Sequence, residues 1–329
     1  MNVLKWLLDS DPAIRWQVMR DLTEERDKAV AIERARVATE GWGARLLAYQ
    51  SPQGYWGGRD DPGRMSTVWN LALLKDLGAD PKSKEVRRAI GRVRKYINWR
   101  QFDGCGSYFD GETEPCLNGA ILATGAYFGE PSKRLLERLL SEQLEDGGWN
   151  CEAPKSRCSS FHTTICVLDG LLEYEKAEGP STAITKARTR GQNYLLERRL
   201  FRSLRSGEVI DRRWMRFAFP TRCYYDVLRG LDYLRRAGVK PDERAAEAIQ
   251  VVTLRRHQNG RWPLNYSHAH LIPFEMELGV GRASHWNTLR ALRVLNWYGY
   301  EAAPASVPLA RTRRSARANR ASSRKMTAH

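Results

Sequence analysis

A seven-residue motif that recurs along this chain limits the folds that the chain can adopt. Residues 50–56 (QSPQGYW) and 143–149 (QLEDGGW) share the pattern Gln-x-x-x-Gly-x-Trp, and residues 256–262 (RHQNGRW) keep its Gly-x-Trp ending. Two degenerate copies, at 100–106 and in a region that ends at Trp214, fill the gaps between them. A period of roughly 45 to 60 residues is typical of a protein built from repeated supersecondary units.

Helical periodicity is found on both sides of the motif. A charged helix precedes it, as at 135–140, and a more apolar helix begins about 10 to 15 residues after it. The apolar helices are predicted to include residues 68–74, 116–122, 162–168, 224–228 and 286–292. Because no strand signal accompanies this alternation, we predict an all-α fold, an α/α toroid whose inner helices surround a central cavity.

The chain is expected to form one toroidal domain. Residues 1–40 are predicted to form helices that cap or complete the ring, and residues 41–305 to form the toroid repeats. Residues 306–329 are predicted to be a disordered tail, because Leu309 to His329 holds seven basic residues and no acid. We interpret it as a solvated tail with incidental affinity for anionic membrane surfaces and without specific recognition of nucleic acid.

Composition excludes several classes of protein. No apolar run approaches the roughly 20 residues of a membrane span, and no signal-peptide core follows the first methionine. Six cysteines among 329 residues are too sparse for a disulfide scaffold. The sequence therefore predicts a cytoplasmic protein, peripheral to the membrane through its tail if it meets one, with cysteines that are reduced thiols or metal ligands.

The motif Gln-x-x-x-Gly-x-Trp resembles the repeat of squalene and oxidosqualene cyclases. The predicted hairpins are similar to the α/α toroid that these cyclases share with the β subunits of protein prenyltransferases. The resemblance covers roughly residues 40–300 and indicates a superfamily rather than one of its branches. It implies an enzyme that handles an isoprenoid or another lipidic substrate in its central cavity.

Two inner helices carry potential metal ligands in the same register. Cys116 and His162 each lie six residues before a leucine, Leu122 and Leu168, on consecutive inner helices, and Glu114 lies two residues before the cysteine. Equivalent positions on consecutive inner helices meet at one mouth of a toroid. A carboxylate, a thiolate and an imidazole at that rim would bind Zn²⁺ and leave a fourth coordination position open.

The segment 147–171 adds detail to the resemblance. Its order of Gly-Gly, Lys155-Ser-Arg157, aromatic-His162-Thr and Leu-x-Gly-Leu is similar to a stretch of prenyltransferase β subunits. The resemblance implies that His162 is a zinc ligand and that Lys155 contacts the diphosphate of a prenyl donor, with Arg157 also meeting an anionic group. Glu-Pro-Cys at 114–116 then corresponds to the Asp-x-Cys of that family, with Glu replacing Asp.

Three carboxylates, Asp110, Glu112 and Glu114, stand where prenyltransferases carry a basic pair before Asp-x-Cys. They would repel a diphosphate unless Zn²⁺ or Mg²⁺ intervened. The same run resembles the Asp-x-Asp-Asp cluster with which squalene-hopene-type cyclases protonate an alkene, although it lacks the adjacent acid pair. A class II terpene cyclase with these three catalytic acids is therefore a second hypothesis, and a solvated acidic turn before a helix is the alternative to both.

Aromatic residues on the inner helices are the candidate substrate-binding groups. Trp69, Tyr224 and Trp286 suit a cavity that accepts an isoprenoid chain, although an aromatic core without a ligand explains them almost as well. Cys151 and Cys158 are weaker candidates for zinc ligands. A third hypothesis is a non-catalytic toroid that binds a lipid or a protein partner, and protein prenylation would itself need a partner subunit.

Overall fold

The computed structural model describes residues 2–57, 64–99, 106–267 and 274–299. Its α-helices in these ranges are α1 (Val3–Leu8), α2 (Pro12–Asp21), α3 (Asp27–Ala35), α4 (Gly41–Ala48), α5 (Arg64–Leu77), α6 (Lys84–Tyr96), α7 (Pro115–Phe128), α8 (Lys133–Ser141), α9 (Phe161–Glu178), α10 (Thr182–Glu197), α11 (Val227–Arg236), α12 (Ala246–Leu254) and α13 (His285–Tyr298). Apart from short 3-10 turns, the described residues hold isolated β-bridges and no strand, so the predicted all-α class is confirmed. The predicted tail 306–329 lies outside the described residues.

Burial divides the helices into two layers. α7 buries 12 of its 14 residues and α9 buries 12 of 18, whereas α6 buries four of 13 and α8 three of nine. The inner layer consists of α2, α5, α7, α9, α11 and α13, and the outer helices pack on its outside. None of the helices in the described part of the chain combines the length and the apolar content that a bilayer span requires.

The inner layer is a closed ring of six helices. Arg293 on α13 donates through Nη2 to Gln17 Oε1 on α2 at 2.9 Å and also pairs with Asp21. On the other side of α2, Trp16 Nε1 donates to the carbonyl oxygen of Leu77 at the end of α5, at 2.9 Å. The second helix of the chain thus lies between α13 and α5 and completes the α/α toroid.

Each Gly-x-Trp turn ties an outer helix to the inner helix that follows it. Trp149 Nε1 donates to the carbonyl oxygen of Leu139 on α8 at 2.7 Å, and its backbone N–H donates to Thr164 Oγ1 on α9 at 3.0 Å. Gln143 Nε2 donates to the carbonyl oxygen of Ala187 on the next outer helix, α10, at 2.8 Å. The motifs at 50–56 and 256–262 make the same tryptophan bonds, to Leu46 and Thr67 and to Val252 and Thr288. The motif is therefore a structural clamp, and the inner-helix threonine is part of it.

Two glycines allow α7 and α9 to approach each other through their backbones. A Cβ atom added at Gly119 would lie 2.4 Å from the carbonyl oxygen of Cys166. A Cβ atom added at Gly170 would lie 2.6 Å from the carbonyl oxygen of Gly119. No side chain separates the two helices at this point of the inner ring.

Gly119→Ala should lower the free energy of unfolding by about 1–3 kcal/mol, because the added methyl group must push two backbones apart. Gly91→Ala is the matched control, since Gly91 lies inside α6 and an added Cβ there meets nothing within 4 Å. Alanine at that position should leave stability unchanged or raise it by about 0.5–1 kcal/mol. Urea unfolding of both variants measures the difference, and equal effects would contradict the backbone contact.

The inner helices run in the same direction around the ring. Gly119, early in α7, meets Cys166, early in α9. Tyr127, late in α7, donates to the carbonyl oxygen of Ala79 just beyond the end of α5, at 3.0 Å. The N-terminal ends of these helices consequently face one mouth of the toroid and their C-terminal ends face the other.

Candidate functional site

The inner ring encloses a central cavity of about 680 Å³. This volume lies in the range of about 300–1,000 Å³ that is typical of small-molecule sites. Its aromatic and apolar lining includes Trp69, Leu73, Phe219 and Trp286, with the rings of Phe219 and Trp286 stacked at a centroid distance of 4.6 Å. We call this part the aromatic end; two of the predicted substrate-binding residues, Trp69 and Trp286, lie there.

The rest of the cavity is lined mainly by charged side chains. Ten cationic and four acidic residues line the cavity, which leaves a formal surplus of six positive charges. The cations are Arg20, Arg34, Lys75, Lys176, Arg222, Arg229, Arg235, Arg236, Arg290 and Arg293, and the acids are Asp76, Asp169, Glu173 and Asp232. Most of them lie in the C-terminal halves of inner helices, where the helix dipole favours cations. We call this part the arginine end.

The buried acids of the arginine end are held in their ionised form. Asp169 pairs with Arg229 at 3.2 Å and with Arg236 at 2.9 Å. Burial alone would raise the pKa of Asp169, but these two guanidinium groups lower it. Glu173 pairs with Arg236 at 2.6 Å, and its pKa falls to about 2 in spite of its burial. The pKa of Asp232 also falls to about 2 against its burial, because of neighbouring arginines.

Arg290 belongs to the cavity lining and has unused hydrogen-bonding capacity at a buried nitrogen atom. Its side chain lines the arginine end, the residue is 5% exposed, and its Nη1 atom has no hydrogen-bond partner within the described part of the chain. A buried polar group without a partner costs about 1–3 kcal/mol. One turn further along α13, burial lowers the pKa of Arg293 to about 10. The arginine end therefore carries cationic groups that a bound anion would stabilise.

The three carboxylates predicted to be catalytic acids lie outside this cavity. Asp110 accepts a hydrogen bond from Ser132 Oγ at 3.5 Å, just before α8. Glu112 is buried, accepts the backbone N–H of Glu114 at 2.7 Å, and has its pKa raised by burial. Arg138 on α8 donates to the carbonyl oxygen of Glu112. These contacts place the acidic run between α7 and the outer helix α8, where it joins the two layers.

A third potential metal ligand, Cys151, lies beside Glu114 and Cys116, and the helical register does not predict it. Cys116 Sγ lies 3.5 Å from Glu114 Oε2, and the thiol of Cys151 completes a group whose ligand atoms all lie within 4.8 Å of one another. A hydrogen bond from the Cys116 thiol lowers the pKa of Cys151 to about 7. Within the described residues, this is the one such group of three potential metal ligands, and His162 is not part of it.

His162 faces the next hairpin of the ring. Its Nδ1 atom accepts the backbone N–H of Tyr225 at 2.9 Å, and its ring packs edge-to-face on Tyr224 in a second cavity of about 240 Å³. Burial lowers the pKa of His162, so the imidazole is neutral at pH 7. Successive helix residues point about 100° apart, and it is Thr163 whose Oγ1 lies 3.3 Å from Cys151 Sγ. The residue of α9 that faces the thiols is therefore Thr163, and His162 points about 100° away from it.

The cations predicted to bind an anionic group are not those that line the central cavity. Lys155 and Arg157 are exposed in the loop before α9. The cavity cations belong to no motif, but α11 carries Arg229 and Arg236 seven residues apart on its cavity side. Charged residues at helical spacing on a predicted inner helix are the signal that could have revealed them.

No protein-family model matches the chain, and no curated protein matches it. Among solved structures, the chain is similar to the apo form of the type II terpene cyclase MstE from Scytonema, with 16% identity, 87% coverage of each chain and a TM-score of 0.44. A protein from Actinoplanes is similar at 17% identity, covering 88% of this chain and 90% of that one, with a TM-score of 0.44. A variant of MstE in complex with geranylgeranyl dihydroxybenzoate is 16% identical, covers 86% and 85% of the two chains and has a TM-score of 0.41.

Proposed function

We propose that this chain is an isoprenoid-handling enzyme whose central cavity binds an isoprenoid with a phosphate or diphosphate head group. The observation that carries the proposal is the division of the cavity into an aromatic end and an arginine end with a formal surplus of six positive charges. The isoprenoid chain would pack on Trp69 and Trp286, while guanidinium groups would hold the head group. Arginine suits this role because its planar fork matches phosphate oxygens in two parallel hydrogen bonds.

The ionisation of the cavity acids favours an anionic substrate over a neutral polyene. Acid-initiated cyclisation needs a protonated carboxyl group beside the alkene. Asp169, Glu173 and Asp232 all have lowered pKa values, and the acidic run at 110–114 lies outside the central cavity. Class II cyclisation is therefore the second candidate. A bound ligand would first have to draw the arginines away from Asp169, so that this carboxyl group could be protonated.

Prenyl transfer is the reaction that this arrangement supports best. The allylic C–O bond of the substrate would break with its electron pair passing to the diphosphate, and the arginine end would stabilise the charge that develops there. The allylic cation would lie against the faces of the aromatic end until an acceptor nucleophile forms the new bond and releases its proton to solvent. No step of this proposal requires Asp110 or Glu112.

Farnesyl compounds that differ in their head group alone test the proposal. Trp16, Trp69 and Trp286 line the cavity, so quenching of tryptophan fluorescence reports binding. Farnesyl diphosphate should bind at least about tenfold more tightly than farnesol, inorganic diphosphate should compete with it, and squalene should bind no better than farnesol. Equal affinity for farnesol and its diphosphate would contradict the anionic head group. Failure of all these compounds to bind would contradict the isoprenoid function itself.

A further inference from the structure

Glu114, Cys116 and Cys151 form a group that is separate from the central cavity and has no part in the function proposed above. Glu114 and Cys116 lie at the start of α7, whereas Cys151 belongs to the loop that follows the Trp149 turn. Their ligand atoms all lie within 4.8 Å of one another. Glu114 is exposed and both thiols are partly exposed, so that an ion in solution can reach them.

The donor set and its spacing fit zinc. Zn²⁺ binds cysteine and glutamate in tetrahedral geometry, with bonds of about 2.3 Å to sulfur and about 2.0–2.2 Å to oxygen. At the tetrahedral angle these bonds separate a sulfur and an oxygen ligand by about 3.5 Å, and two sulfur ligands by about 3.8 Å. Cys116 Sγ and Glu114 Oε2 are 3.5 Å apart. Cys151 Sγ lies within 4.8 Å of both of these atoms.

Cys151, rather than His162, completes this geometry. The Nδ1 atom of His162 already accepts the backbone N–H of Tyr225. Thr163 Oγ1 lies 3.3 Å from Cys151 Sγ, and a hydrogen bond of this kind orients a thiolate ligand towards its metal. The residue of α9 that serves the site is thus the threonine after the histidine.

We propose that Glu114, Cys116 and Cys151 bind one Zn²⁺ ion through three protein ligands and leave the fourth coordination position open. The ion would join the start of α7 to the loop before α9. That loop carries Lys155 and Arg157, both exposed. Metal binding would therefore fix an exposed basic loop at one end of the toroid.

Metal analysis of the full chain, purified without a metal-chelating tag and kept reduced, tests the site. After incubation with Zn²⁺ and desalting, the protein should hold about one zinc per chain. Cys116→Ser and Cys151→Ser should each lose it while keeping a helical circular dichroism spectrum. Cys158→Ser, in the same loop, and His162→Ala are the matched controls and should retain it. In the unmodified protein, zinc should protect two thiols from alkylation.

Any one of four outcomes would overturn the proposal. The first is a reduced protein that takes up no zinc and shows no protection of its thiols. The second is full zinc content in both thiol variants. The third is loss of zinc in His162→Ala with retention in Cys151→Ser, which would transfer the site to the histidine. A Cys116–Cys151 disulfide that persists in the presence of reductant and zinc would also count against it.

Discussion

Replacing Arg290 with glutamine should weaken the binding of farnesyl diphosphate about 10- to 100-fold and leave the binding of farnesol unchanged. A hydrogen bond to a charged group contributes about 1.5–3 kcal/mol, and about 1.4 kcal/mol corresponds to a tenfold change in affinity. Because the positive charge of Arg290 also acts to lower the pKa values of the buried Asp226 and Asp232, its loss should reduce the free energy of unfolding as well, by about 1–3 kcal/mol. Isothermal titration calorimetry and urea unfolding measure the two effects separately.

Arg94→Gln is the control for this substitution. Arg94 is exposed on the outer helix α6 and pairs with Glu130 at 3.0 Å. Its replacement removes the same charge without touching the cavity, so the affinity for both farnesyl compounds should stay at the wild-type value. If Arg290→Gln weakened farnesol and farnesyl diphosphate equally, the residue would support the shape of the cavity and not the head group.

Asp169→Asn should destabilise the protein and at the same time strengthen its binding of farnesyl diphosphate. The substitution leaves Arg229 and Arg236 buried without their shared carboxylate, which should cost about 3–5 kcal/mol of unfolding free energy. It also raises the surplus of positive charge in the cavity by one, which should increase the affinity for the diphosphate about tenfold. Urea unfolding gives the first quantity and calorimetric titration the second.

Glu40→Gln removes a carboxylate of a different kind and serves as the reference. Glu40 pairs with Arg36 on the surface, where both side chains are nearly half exposed. Solvent screens such an exposed pair, so its loss should leave stability almost unchanged and should not affect ligand binding. Weaker diphosphate binding by Asp169→Asn would mean that the carboxylate contacts the ligand, and unchanged stability would mean that the two ion pairs contribute nothing.

The layers of the fold could be predicted because their causes are local. A glycine in the left-handed region, such as Gly147 with φ of 96°, turns the chain before each tryptophan, and apolar periodicity marks the helices on either side. The predicted segments 116–122 and 162–168 fall within α7 and α9. The predicted segment 224–228 overlaps α11 only in part, because the helix begins at Val227. Asp226 caps it by accepting the backbone N–H of Arg229 at 2.7 Å. That capping residue was readable in the sequence.

The site depends on two properties that sequence periodicity does not contain. One is the rotation of a side chain about its helix axis, which turns His162 towards Tyr225 although its register matches that of Cys116. The other is the convergence of separate hairpins, which brings Asp169 of α9 to Arg229 of α11. Both follow from packing between helices and not from the order of residues within one.

The hydrogen bond between Gln17 and Arg293 joins residues 276 positions apart in the chain. A ribosome that adds about 5–20 residues per second reaches Arg293 roughly 14 to 55 s after it has added Gln17. During that interval Trp16 and the rest of α2 cannot pack against α13, because α13 has not yet been made. A nascent chain that lacks α13 contains no closed chamber. The wall that holds Arg290 is made after the other five inner helices, so a ligand of this chamber can stabilise only a chain that already includes α13 and cannot guide the folding of the helices before it.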